Sequence, residues 1–109
     1  MPIIQDAPPE SLPRNTVPLG SPFKVQSQVH TTGAAEDVLV RYSLRSGSLD
    51  FVGPAEFPAR IKPTATLVEH TLTLRVNGGG APAEAVITID FLLLAARAVL
   101  STSVLRVLV

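Results

Sequence analysis

The chain of 109 residues contains no cysteine and no tryptophan, with one tyrosine and four phenylalanines. Lack of cysteine rules out disulfides, thiolate metal sites and a cysteine nucleophile, and lets the chain exist in either redox environment. Aromatic residues make up 5%, too few for the stacking platforms on which single-stranded nucleic acids lie. Nine basic and nine acidic residues cancel. No basic field therefore draws in a phosphate backbone, and no run of like charge makes a polyelectrolyte tail. Nucleic acid is not an expected partner. The opening residues Met1-Pro2-Ile3-Ile4-Gln5-Asp6 carry neither a basic nor an apolar segment, so no secretory signal is legible there. The compartment stays unassigned, with a cytoplasmic or virion-associated setting as the default.

Catalytic spacing is missing as well. Ser43, Ser46, Ser48, Ser101 and Ser103 fall in turns or on strand faces, and none lies in a GxSxG elbow. Gly78-Gly79-Gly80 lacks the Lys-Ser/Thr that follows a phosphate loop and reads as a hairpin turn. Of the two histidines, His30 falls on a polar strand face and His70 on an apolar one, flanked by Val68 and Leu72. His70 reads as a neutral core residue bonded to a backbone carbonyl, since its neighbour Glu69 points the other way. No HxH or HExxH spacing builds a transition-metal site. The carboxylates Asp50 and Glu56 lack the apolar surroundings that raise a pKa for acid catalysis. The expectation is no enzyme, no cofactor and no metal.

What the chain does have is alternation. In Phe23-Lys24-Val25-Gln26-Ser27-Gln28-Val29-His30, one face collects Phe23, Val25 and Val29, and the other Lys24, Gln26, Gln28 and His30. The run 38–45 sets Val38, Val40, Tyr42 and Leu44 against Arg41, Ser43 and Arg45. Side chains in a strand change face at every residue, so these runs predict half-buried antiparallel strands. Strands are expected at about 23–31, 37–46, 49–52, 56–61, 66–76 and 85–90. Turns are expected at 32–35, at Ser46-Gly47-Ser48 and at a hairpin loop Asn77–Gly80. Residues 1–22 hold Pro2, Pro8, Pro9, Pro13, Pro18 and Pro22, which neither a helix nor a central strand tolerates. They read as an extended arm, a linker or a clasp on a neighbouring subunit anchored by Ile3, Ile4, Leu12 and Val17. The remainder, 23–109, is one domain.

Several stretches resemble repeats in bacterial surface proteins. They are Asp37-Val38-Leu39-Val40-Arg41-Tyr42-Ser43-Leu44, Asp50-Phe51, Ile61-Lys62-Pro63-Thr64 and Glu69-His70-Thr71-Leu72-Thr73-Leu74. The resemblance implies a bacterial immunoglobulin-like module: an all-β antiparallel β-sandwich of about seven strands. The acidic cluster of the calcium-binding relatives is not evident, so no metal is carried over.

The hydrophobic fraction is 46%, and much of the excess follows Asp90. The segment 91–109 is apolar on both faces. A transmembrane helix is opposed by Arg97 and Arg106, and a helix over 90–100 followed by a strand is a second possibility. The favoured reading is sheet with a bend near Ala95-Ala96 or Ser101-Thr102-Ser103. A strand apolar on both faces must be covered from outside the sandwich, and the simplest cover is another copy. The chain is thus expected to be a non-enzymatic structural or assembly module, self-associating through Leu92, Leu94, Leu105, Val107 and Val109. A homo-oligomer, with another structural protein as a further partner, suits a shell, fibre, virion or surface-protein component. The alternative is a monomeric binding module presenting Asp50, Phe51, Glu56, Phe57 and Arg60 to a protein or carbohydrate.

Overall fold

Strands form wherever the sequence alternates, and also in places where it does not. The computed structural model describes residues 3–14, 16–45 and 47–109. Nine strands follow in order: β1 Ile3–Leu12, β2 Phe23–Thr31, β3 Glu36–Leu44, β4 Leu49–Phe51, β5 Glu56–Ile61, β6 Thr66–Leu72, β7 Leu74–Val76, β8 Glu84–Leu93 and β9 Val99–Leu108. A smaller sheet has the order β1-β2-β6, a larger one β5-β3-β8-β9, and β4 pairs with β7 in a short ladder. Every ladder is antiparallel. The inner faces of both main sheets feed one core, from Val25, Val29 and Leu72 on one side to Val40, Ile87, Ile89 and Phe91 on the other. The arrangement is compatible with a β-sandwich. Among the described residues there is no helix, and none is long and apolar enough to cross a membrane.

Three expectations change. The proline-rich segment is extended, but Ile3–Leu12 is an edge strand laddered onto β2 rather than a free arm. Its prolines are accommodated by a bulge: Ala7 faces Gln28 and Glu10 faces Gln26, so Pro8 and Pro9 stand opposite Ser27 alone. An edge strand has one side that needs no donors, and a bulge releases the other, so proline is tolerated here. After β1 the chain crosses to the larger sheet, where the Val17 N–H donates to the Leu108 carbonyl (2.9 Å).

The Asn77–Gly80 loop, secondly, is not a hairpin. β7 and β8 belong to different sheets, so the loop is a crossover, with Gly78 and Gly79 supplying the positive φ angles of 74° and 62°. The long strand expected over 66–76 breaks at Thr73 into β6 and β7. At the expected turn Ser46-Gly47-Ser48, Ser46 lies outside the described residues and Gly47 and Ser48 form the turn. Thirdly, the 91–109 segment is sheet throughout its two strands, and its bend falls at 94–98, the Ala95-Ala96 site.

Ile3 and Val17 are buried in the core cluster, so residues 1–22 contribute to folding. Each such side chain is worth about 1.5–3 kcal/mol when fully buried. Deleting 1–22 is expected to lower the free energy of unfolding by at least about 3 kcal/mol in a urea titration. An unchanged midpoint would show that β1 is dispensable.

Candidate functional site

The two main sheets present different outer faces. That of the smaller sheet is polar. Lys24 and Gln26 both engage Glu69, and the His30 Nδ1–H donates to the Asp6 carboxylate at 2.5 Å. Leu67 is an exposed exception. This face behaves as solvated surface.

The larger sheet has a mixed outer face, built in rows by its register. Pro58, Leu39, Leu92 and Val99 stand side by side across β5, β3, β8 and β9. Leu39 and Leu92 are only 8% and 1% exposed, yet neither belongs to the main core. Their cover is the β8–β9 connection. Arg97 sits there in the left-handed region (φ 54°) with its N–H on the Leu93 carbonyl, and its guanidinium donates to Glu56 of β5 at 3.2 Å. β3 lies between β8 and β5, so the Arg97 stem crosses it, laying methylenes over apolar surface and keeping the charge outside.

The next row, Glu56, Arg41, Asp90 and Thr102, is polar. Asp90 is 8% exposed and accepts from the Arg41 guanidinium (3.1 Å) and the Thr102 hydroxyl (2.7 Å). A carboxylate so buried needs such partners. Towards the edges, Arg60 pairs with Asp37 (2.9 Å) and Arg106 with Glu84 (3.0 Å). Four ion pairs thus neutralise the face. Beside them stand exposed apolar side chains of the C-terminal hairpin: Leu94 (49%), Val99 (50%), Val104 (41%) and Leu108 (52%).

The residues expected to self-associate are mostly elsewhere. Leu105 and Val107 are 6% and 1% exposed in the chain's own core, Val109 packs against that core, and Leu92 lies under the hairpin. The expectation that these four face a partner is corrected: their side of β9 faces the opposite sheet. Leu94 alone of the five is exposed. Signals for the others existed. Val38-Leu39-Val40 breaks the alternation of β3, which marks Leu39 as apolar on the wrong face. Val99, Val104 and Leu108 are the residues that alternate with the buried ones. Nothing in the sequence flags Arg97 as a lid.

The five residues of the 50–60 region do not converge. Phe51 and Phe57 pack against the core, Asp50 faces Arg75 in the β4–β7 ladder, and Glu56 and Arg60 lie on the larger sheet's outer face. Phe57 stacks on His70 (centroids 4.4 Å apart), and the Tyr42 hydroxyl donates to Nδ1 of His70 at 2.8 Å. His70 therefore does face the interior, but its partner is a phenol of the opposite sheet, not a backbone carbonyl. Burial lowers the His70 pKa and raises that of Tyr42, so the pair is neutral. Among the described residues no three histidine or carboxylate side chains gather to hold a metal ion.

No family model, curated protein or solved structure matches the chain, so its own geometry is what bears on function.

His70 makes stability depend on pH. Its folded pKa is below the unfolded value of 6.5, so below that pH the unfolded chain binds more protons. The stability is complete above about pH 6.5 and is lost as the pH falls through the folded pKa. The unfolding midpoint of the natural chain should fall between pH 7.5 and 5, and more steeply than that of His70→Gln. Parallel profiles would remove His70 as the source.

Proposed function

We propose that this chain is a non-enzymatic structural module that self-associates through the outer surface of its C-terminal hairpin, on an immunoglobulin-like scaffold. The scaffold reading is supported by strand order. β1, β2 and β6 take the places of A, B and E, and β5, β3, β8 and β9 those of C′, C, F and G in such sandwiches. β4 departs from that pattern, since it pairs with β7 yet precedes β5 in the chain.

One observation carries the assembly reading. Leu94, Val99, Val104 and Leu108 are exposed on the one face whose charged groups are paired off as Arg41–Asp90, Arg97–Glu56, Arg60–Asp37 and Arg106–Glu84. Such a surface gains by burying its apolar groups and brings no net charge to repel a second copy. A shell, fibre, virion or surface-protein component, meeting its own kind and perhaps-adjacent structural proteins in an array, needs that kind of contact. The monomeric ligand-binding alternative draws less support, because Phe51 and Phe57, the anchors it requires, pack against the core.

Solution mass tests the reading. The chain should run as a multiple of 11.5 kDa by light scattering. Replacing both Leu94 and Val99 by lysine should weaken association at least about tenfold, since each buried side chain is worth about 1.5–3 kcal/mol. The melting temperature should hold, because both residues are exposed in the single chain. A monomer at every concentration would refute self-association.

A further inference from the structure

The main sheets end on four strand edges, and three of them are blunted. β1 carries the Pro8-Pro9 bulge, β5 has Pro58 between Glu56 and Arg60, and β6 is seven residues long with Glu69 and His70 at mid-strand. β9 is ten residues long, has no proline and carries Arg106 as its single charge. Open edges of this kind are what natural sheets avoid unless another strand completes them.

The backbone of β9 shows which groups await that strand. The Leu108 carbonyl accepts from Val17 on the edge away from β8, whereas the Val109 N–H bonds to Ala83 on the β8 side. Backbone groups of successive residues turn to opposite edges. Thr102, Val104 and Arg106 therefore aim their N–H and C=O outward, and no partner for them occurs among the described residues.

We infer that a second copy of this chain completes the edge by antiparallel β9–β9 pairing about a two-fold axis at Val104. This inference rests on the self-association reading and specifies its geometry. The register follows from three facts. Leu108 is already occupied by Val17, so the pairing must use Thr102, Val104 and Arg106. Centring on Val104 sets Val104 opposite itself and Thr102 opposite the second copy's Arg106, with two hydrogen bonds at each pair. The same register matches charge. The Thr102 hydroxyl is bonded to Asp90, so the second copy's Arg106 arrives one strand from that carboxylate and no arginine faces another. The two larger sheets become one continuous sheet, an isologous contact that closes on itself.

The chain has no cysteine, so a single introduced thiol reports one contact. In Val104→Cys the two thiols would sit on directly paired residues, whose Cα atoms lie about 5.5 Å apart, within disulfide range. Mild oxidation should give a covalent dimer at least tenfold faster than for Leu67→Cys, an exposed site on the other sheet. Val104→Lys, which opposes two like charges at the axis, should weaken the dimer at least tenfold. If the natural chain dimerises but Val104→Cys crosslinks no faster than Leu67→Cys, edge pairing is wrong. Dissociation by the Leu94 and Val99 lysine variants would then leave the self-association reading standing as face packing. A natural chain that stays at 11.5 kDa at every concentration overturns both.

Discussion

The register of β8 between β3 and β9 decides what the C-terminal half of the molecule shows to the outside. Pairing Val40 with Phe91 and Tyr42 with Ile89 sends Ala85, Ile87, Ile89 and Phe91 into the core and leaves Val86, Thr88, Asp90 and Leu92 on the outer face. A slip of one residue would bury Asp90 against Phe23 and Val25 and expose Phe91, so the register is held by the difference between those two faces. Asp90 and its two donors then hold it from outside as well. Arg41 and Thr102 are the cross-strand neighbours of Asp90 on either side, and they reach its carboxylate only in this register.

That constraint explains why the hairpin after β8 does more than reverse the chain. Leu39 and Leu92 are brought together on the outer face by the same register, and two leucines there would form an exposed apolar strip. Arg97 answers this locally by crossing to Glu56. An exposed ion pair contributes at most about 1 kcal/mol, so the methylene stem over the leucines matters more than the charge contact. The strip is thereby shortened to Leu94 and Val99 at the hairpin and continues down β9 as Val104 and Leu108.

Much of this was legible in the sequence, and the failures have physical causes. β2 and β3 were readable because each has one wet and one dry face, which period-two alternation records directly. Residues 91–109 were not, because Leu92 is dry for a reason other than the core, and a segment apolar at both parities carries no face assignment. Alternation was still present in β9: Ser103, Leu105 and Val107 alternate with Thr102, Val104 and Arg106, so the inward set was recoverable from residues that seemed equivalent. The edge role of β1 was hidden by its prolines, which signal the absence of a central strand and say nothing against an edge. The crossover at Asn77–Gly80 was read as a hairpin because glycine reports positive φ and not which sheet the chain enters next.

Edges and faces are linked by this economy of prolines. Six of the ten prolines precede β2, and the last, Pro82, precedes β8, so the protection they give to β1 is not available to β9. A ten-residue edge built of valine, leucine, serine and threonine is a strand that gains hydrogen bonds from whatever strand meets it. The nearest candidate within the chain is the segment at Thr16–Val17, and it takes only the Leu108 end. Further coverage by the same chain is prevented by the turn through Pro18 and Gly20, which carries it back to Leu74 of the other sheet, where the Gly20 N–H donates to the Leu74 carbonyl. The fold closes its core with one hand on each sheet and leaves the middle of β9 open, so the completion of that edge falls to a strand from outside the chain.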